Sequence, residues 1–283
     1  MSMEAIHTPP AVQTDAPVVT FIIPVRHQDN AKDWPALVSR LRQTVQSIAH
    51  QTHASWRGLV VANVGAQLPI MPPGFEVVRV NYPPNPRYEL DLTDRESMYD
   101  AVRWDKGRRV LAGMLAAGPT GYFMVVDDDD FVSREITAHA AGNFGANGWT
   151  IKNGYIWSDG ARFAFLHTEF SSFCGTSHVI RSDLYNLPPS LTAANDDYVK
   201  SMLGSHVRIE SLLAAEGRPL QSLPFPGAIY RVGHAGAHSK SRGTFRNFLV
   251  NKKTLRSPRL LLNNARKLRF VSKGMAEAFG MTF

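Results

Sequence analysis

Tyr122-Phe123-Met124-Val125-Val126-Asp127-Asp128-Asp129-Asp130 passes from five apolar residues straight into four carboxylates. The apolar half reads as a strand buried on both faces, which is the habit of parallel sheets. Four adjacent carboxylates repel one another, so a fold that gathers them at a strand end calls for positive charge beside them. Mg²⁺ or Mn²⁺ meets that need, because both take oxygen ligands and complete their shells with substrate phosphates. A solvated acidic loop, or the flank of a helix near Ser133, is the alternative reading of the same run.

Upstream, Val18 to Val25 (VVTFIIPV), Gly58 to Val64 and Phe75 to Val80 read as further strands. Asp33 to Ile48 shows Leu37, Leu41, Val45 and Ile48 at helical spacing behind a capping Asp33, and Asp105 to Ala117 reads as a second helix. Strands alternating with helices predict an α/β domain with a mostly parallel sheet covered on both faces, whose ligands collect at the strands' carboxyl ends. Downstream, Trp149 to Trp157 and Arg162 to His167 flank a Ser158-Asp159-Gly160 turn, Asp196 to Ala215 reads as a helix, and Gln221 to Arg231 as extended chain. Residues 1–17 read as a loose leader, 18–240 as the catalytic body and 241–283 as a basic helical extension.

Charge separates body from tail. From Lys240 onward the chain carries eleven Lys or Arg against one acidic residue, while everything before it carries twenty against twenty-three. The tail therefore seeks an anionic partner and the body resembles an ordinary enzyme. The single cysteine, Cys174, excludes an internal disulfide and fits a reducing, cytoplasmic setting. No apolar run approaches the roughly 18 residues of a membrane span, so membrane contact is expected to be peripheral, on the inner face.

The strand Phe21-Ile22-Ile23-Pro24-Val25, the helix end Ser47-Ile48-Ala49-His50-Gln51-Thr52, Trp56, the strand Leu59-Val60-Val61 and Val126-Asp127-Asp128-Asp129-Asp130 follow the order seen in family 2 GT-A glycosyltransferases, which this sequence resembles from about Val18 to Ser239. The resemblance implies a GT-A fold and metal-dependent, inverting transfer of a hexose-type sugar from a nucleoside diphosphate, UDP first, to a glycan or lipid-linked acceptor. Pro24, Val25 and Arg26 would then line the nucleotide site. Asp127 and Asp128 would meet ribose or diphosphate, Asp129 with Asp127 would ligate the metal, and Asp130 would face substrate. Lys106 and Arg109 open the helix at the family's phosphate-binding position, where free N–H groups favour anions; a solvated helix face is the plainer reading. Where the family has paired aspartates this chain has Ala62-Asn63, and Asn63 can still donate to and accept from a base.

An inverting transfer needs a carboxylate base. Asn195-Asp196-Asp197-Tyr198 matches the family's acidic motif, with Asp197 first and Asp196 second; both would equally suit a helix cap and its first turn. The resemblance makes His234 a further metal or diphosphate ligand and sets Gly175 beneath the sugar. A zinc pair of His234 and His238 is disfavoured by the glycines beside them. Trp157 and Trp149 could stack on a sugar or pack in the core. Pro258 to Phe279 outlines an amphipathic basic helix that docks on anionic lipid or packs on the body. Two other classes compete. Nucleotidyl transfer wants a Gly-rich loop that Arg26-His27-Gln28-Asp29-Asn30 lacks, and an anionic-polymer binder would leave the aspartates without purpose. No motif points to nucleic acid.

Overall fold

The computed structural model describes residues 16–87, 94–233 and 257–281. Residues 1–15, most of the leader, lie outside that set, and so do His234 and His238.

Strand β1 (Val19–Pro24) lies between β2 (Trp56–Asn63) and β4 (Tyr122–Val125), parallel to both, and β2 is parallel to β3 (Phe75–Val80). With β6 (Gly148–Thr150), β9 (His178–Arg181) and β10 (Gln221–Ser222) they make a seven-stranded sheet in the order β10-β6-β9-β4-β1-β2-β3, antiparallel only at β9. Alternate residues of β1 and β2 serve opposite faces. Phe21, Ile23 and Val60 pack with Leu37, Leu41, Val45 and Ile48 of helix α1 (Trp34–Ala49). Ile22, Leu59 and Val61 pack with Val110, Leu111 and Met114 of α2 (Arg95–Ala117). The fold is thus α/β, a mixed and mostly parallel central sheet flanked by helices, and Asp33 caps α1 by accepting from the Ala36 N–H at 2.9 Å.

A second sheet, β12-β8-β7-β11-β5, adjoins the first. It comprises β5 (Phe131–Val132), β7 (Gly154–Ser158), β8 (Phe163–His167), β11 (Ala228–Val232) and β12 (Leu268–Phe270). The expected β7–β8 hairpin forms, with Gly160 at φ 72° in its turn. The expected strand from Trp149 to Trp157 is instead two strands in different sheets.

Two helices differ from their sequence reading. Helix α2 starts ten residues before Asp105, because Asp94 accepts from the Ser97 N–H and caps it there. The expected helix Asp196 to Ala215 is broken. A three-residue turn, α4 (Asp196–Tyr198), runs into a π turn (Val199–Leu203), and α5 (Ile209–Ala215) restarts after a loop. The apolar pattern of 199–213 is continuous, but Gly204 lies so close to α2 that an added Cβ would meet the Arg103 carbonyl at 2.0 Å, and Gly107 likewise meets the Val199 carbonyl at 2.2 Å. Backbone contact with α2 overrides local helix propensity.

The short helix α3 (Ile136–Gly142) is tied to α1 by Gln51. Its amide donates to the Ser133 carbonyl at 2.8 Å and accepts from Thr137 N–H and hydroxyl, both at 2.8 Å. The Gln51-Thr52 signature therefore fixes the chain just beyond the aspartates. At the other end, the single amphipathic helix expected over Pro258 to Phe279 is helix α6 (Pro258–Ala265), strand β12 and helix α7 (Lys273–Ala278). Ala276, Phe279 and Met281 are buried against Phe131, Trp157 and Ile229. Burial of these side chains against the second sheet outweighs continuation of the helix.

Candidate active site

The aspartates occupy the passage from β4 in the first sheet to β5 in the second, and each meets a different environment. Asp127 is ion-paired with Lys106 of α2, and its N–H donates to the Thr176 hydroxyl at 2.9 Å. Asp128 is nearly buried, 3.8 Å from the Arg26 guanidinium, and its Oδ2 is buried without a hydrogen-bond partner. Burial, with Asp129 and Asp127 adding repulsion that Arg26 only partly offsets, pushes the Asp128 carboxyl up to about 6. Asp130 is fully enclosed and accepts from Thr176 Oγ1 at 2.6 Å, Cys174 Sγ at 3.2 Å and the Arg231 N–H at 3.1 Å. It is a structural tie between three segments, since no surface of it is left for a substrate. Burial drives its carboxyl well above the usual range, as it does the Cys174 thiol.

Asp127, Asp128 and Asp129 line one wall of a cleft of about 400 Å³. Pro24 and Arg26 at the end of β1 form its floor, and Tyr99, Arg103 and Lys106 of α2 face them. Burial opposes the Lys106 charge, but Asp127 more than restores it and holds the ammonium above its ordinary pKa. Gly175 backs this pair. A Cβ there would stand 2.6 Å from Asp127 Oδ2 and 2.7 Å from Lys106 Nζ, so only glycine lets the loop approach. The acidic run and the cationic face of α2 meet at strand carboxyl ends, where α/β sheets bind ligands.

Arg109 and Asn63 hold one another instead of presenting free edges. Arg109 is 1% exposed, bonded to both Asp105 oxygens, and donates to Asn63 Oδ1 at 2.6 Å. Asn63 Nδ2 donates to the Tyr82 carbonyl at 2.6 Å. The buried guanidinium thus takes the acceptor that base reading would require, a correction to the expected role of Asn63, which does not line the cleft; Arg109 does line it, with its guanidinium engaged by Asp105 and Asn63.

Other expected residues fall elsewhere. Val25 is fully buried and its N–H donates to the Val61 carbonyl, so its side chain belongs to the core. Trp157 is buried against Phe131, its indole N–H donating to the Ala161 carbonyl, which removes it from sugar stacking. Asp196 and Asp197 are exposed in the first turn of α4, with Asn195 accepting from the Asp197 N–H, and neither lines the cleft. The helix-cap reading describes them.

The cleft's opposite wall comes from residues that the sequence did not single out: Phe173, Ser205, His206 and Val207. The break after the π turn delivers the last three, Phe173 coming from the loop before Gly175, and nothing in the local pattern announces that break. His206 and His178 also line an annex of about 30 Å³ behind Lys106 and Gly175, room for a water molecule or two. The Nε2 atoms of both rings are buried and unpartnered. Burial pushes His206 down to about 4 and His178 to about 3, with nearby Lys106 and His206 respectively acting in the same sense. Both rings are neutral at physiological pH.

No family model matches the chain, and no curated protein matches it. Among solved structures it is similar to a crystal structure of S. aureus TarS 1-349, at 13% identity and a TM-score of 0.41, over 75% of this chain and 60% of that one. A crystal structure of S. aureus TarS is similar at 12% identity and the same TM-score of 0.41, over 76% of this chain and 36% of that one. The chain therefore spans less than two thirds of either.

Proposed function

We propose that this chain is a GT-A type glycosyltransferase that moves a sugar from a nucleoside diphosphate to a glycan or lipid-linked acceptor. The observation that carries the reading is the meeting of Asp127, Asp128 and Asp129 with Lys106 and Arg26 across one cleft at the carboxyl ends of β1 and β4. Such a site suits a ligand that brings both a cation and phosphate anions. The unpartnered Asp128 oxygen, on a carboxyl raised by burial first and by its acidic neighbours second, stands where a divalent cation beside it would offset the negative charge. Asp129 and Asp127 would hold Mn²⁺ or Mg²⁺, with diphosphate oxygens completing the shell. When bound, the ion supplies charge that stabilises the leaving diphosphate.

The chain's own groups do the rest. Lys106 and Arg103 draw the diphosphate to the α2 wall. Gly175, expected beneath the sugar, lines the annex and not the cleft, and its missing side chain leaves room for the Asp127–Lys106 pair. Phe173 and Val207, both exposed at the rim, offer apolar surface to the acceptor. UDP is the first donor nucleotide to test, on the sequence resemblance. Inversion is the course that resemblance implies, and the anomeric configuration of the product, read by NMR, tests it.

Calorimetric titration of UDP, GDP, CDP and dTDP, with and without Mn²⁺, tests the site. One nucleotide is expected to bind in a Mn²⁺-dependent way, and Asp129→Ala to weaken it by about tenfold or more, the loss of a charged ligand from a partly buried site. Absence of binding for all four nucleotides under both conditions would remove the transferase reading.

A further inference from the structure

The surface around β12 combines charge and apolar exposure in a way the cleft does not explain. Residues 257–273 carry Arg259, Arg266, Lys267, Arg269 and Lys273 and no acidic residue. The register pairs Phe270 with Phe163, which places both on one face of the β8–β12 edge. Their rings meet edge to face at 5.7 Å, yet Phe270 is 60% and Phe163 42% exposed. Two residues separate β12 from α6, where Leu262 is 54% and Leu261 38% exposed. The Leu166 N–H donates to the Lys267 carbonyl at 2.9 Å, so β8 holds the junction of α6 with β12. Four of the larger exposed apolar side chains of the described residues thus stand on one short stretch and its strand partner, among five cations and Arg162.

We propose that this α6–β12–β8 surface docks the protein on an anionic lipid membrane. Each half of the composition selects that partner. Basic residues at a surface are attracted to acidic headgroups, while Phe and Leu gain by entering the boundary between headgroup and acyl chain. A soluble polyanion would satisfy the cations and leave the four apolar side chains in water. A second copy of the same face would bring five cations against five. Residues 234–256, the segment that leads into this surface, bring no opposite charge, since their sequence adds six Lys or Arg and no acid. No helix among the described residues is long and apolar enough to cross a membrane, so contact here is with the surface.

The docking face is related to the cleft by the second sheet. β12 is that sheet's edge, and three strand steps lead through β8 and β7 to β11, which contributes Tyr230 and Arg231 to the cleft. At about 4.8 Å per step the cleft-lining strand is roughly 14 Å from the edge. The proposal stands on this surface alone and does not depend on the chemistry of the cleft.

Flotation with phosphatidylcholine vesicles, with and without phosphatidylglycerol, tests it on the full chain. Intact protein is expected to float with the anionic vesicles at low salt, to stay behind with phosphatidylcholine alone, and to be released as salt is raised. Phe163→Thr with Phe270→Thr should lower the bound-to-free ratio on the order of tenfold, as should Arg259→Gln with Arg266→Gln. All four positions are exposed, so the melting temperature should hold and separate lost docking from lost folding. Failure of the intact protein to float with anionic vesicles would overturn the proposal. Equal binding to neutral vesicles would also overturn it, as would binding untouched by the Phe pair and displaced by soluble polyphosphate, the mark of a polyanion site.

Discussion

At His178, burial and the neighbouring His206 ring hold the imidazole neutral down to about pH 3, whereas the unfolded chain protonates it near 6.5. The unfolded state therefore binds the extra proton over that whole window, and stability falls as pH drops below about 6.5. His206 acts in the same sense. The loss attributable to His178 is roughly 1 kcal/mol per pH unit, and His178→Gln should flatten urea stability between pH 6.5 and 5 by that slope. An unchanged slope would show that the ring does not titrate as buried. Both histidines escaped notice in the sequence because an isolated histidine carries no pattern. The four aspartates were conspicuous, but their division of labour was not. Asp130 differs from Asp129 only in what Thr176, Cys174 and Arg231 bring to it from positions 44 to 101 residues away.

Elements were legible where burial wrote a regular pattern. β1, β2, β4 and α1 are buried and read directly as short apolar runs or a helical stripe, and β3, the half-exposed edge of the sheet, still reads from its valines. The break in the Asp196 to Ala215 region was not legible, because its cause lies on α2. Gly107 and Gly204 let two backbones touch, and that contact swings Ser205 and His206 onto the cleft. Gly107→Ala should push the π turn away at a cost of about 1–3 kcal/mol, the usual penalty for overpacking. Ligand affinity should fall along with the thermal midpoint. A Gly107→Ala protein with unchanged melting and unchanged nucleotide affinity would mean that the close approach is not maintained in solution.

For the molecule as a whole, the sequence separated a body from a basic extension, and the residues past 256 complicate that division. Ala276, Phe279 and Met281 fill the second sheet's core, Phe279 meeting Tyr155 edge to face at 5.8 Å. The Arg134 N–H, just after the aspartates, donates to the Ala278 carbonyl at 2.9 Å. Phe279→Ala should cost about 3 kcal/mol or more, as deletion of a buried aromatic side chain does, and a melting curve matching the parent would show the segment to be a passenger. Charge counts along the chain could not reveal this anchorage, since cationic side chains and core side chains alternate within the same residues. The route of the chain between its sheets carries one more consequence. Asp127 to Asp130 form the seam at the first of its crossings from one sheet to the other, so sliding of one sheet on the other would alter the spacing of the carboxylates. Cys174, the single thiol, is clasped to Asp130 at that seam and fully shielded. The rate at which an alkylating reagent reaches it is a clock for how often the seam opens, and a bound ligand that bridges the sheets should slow that clock.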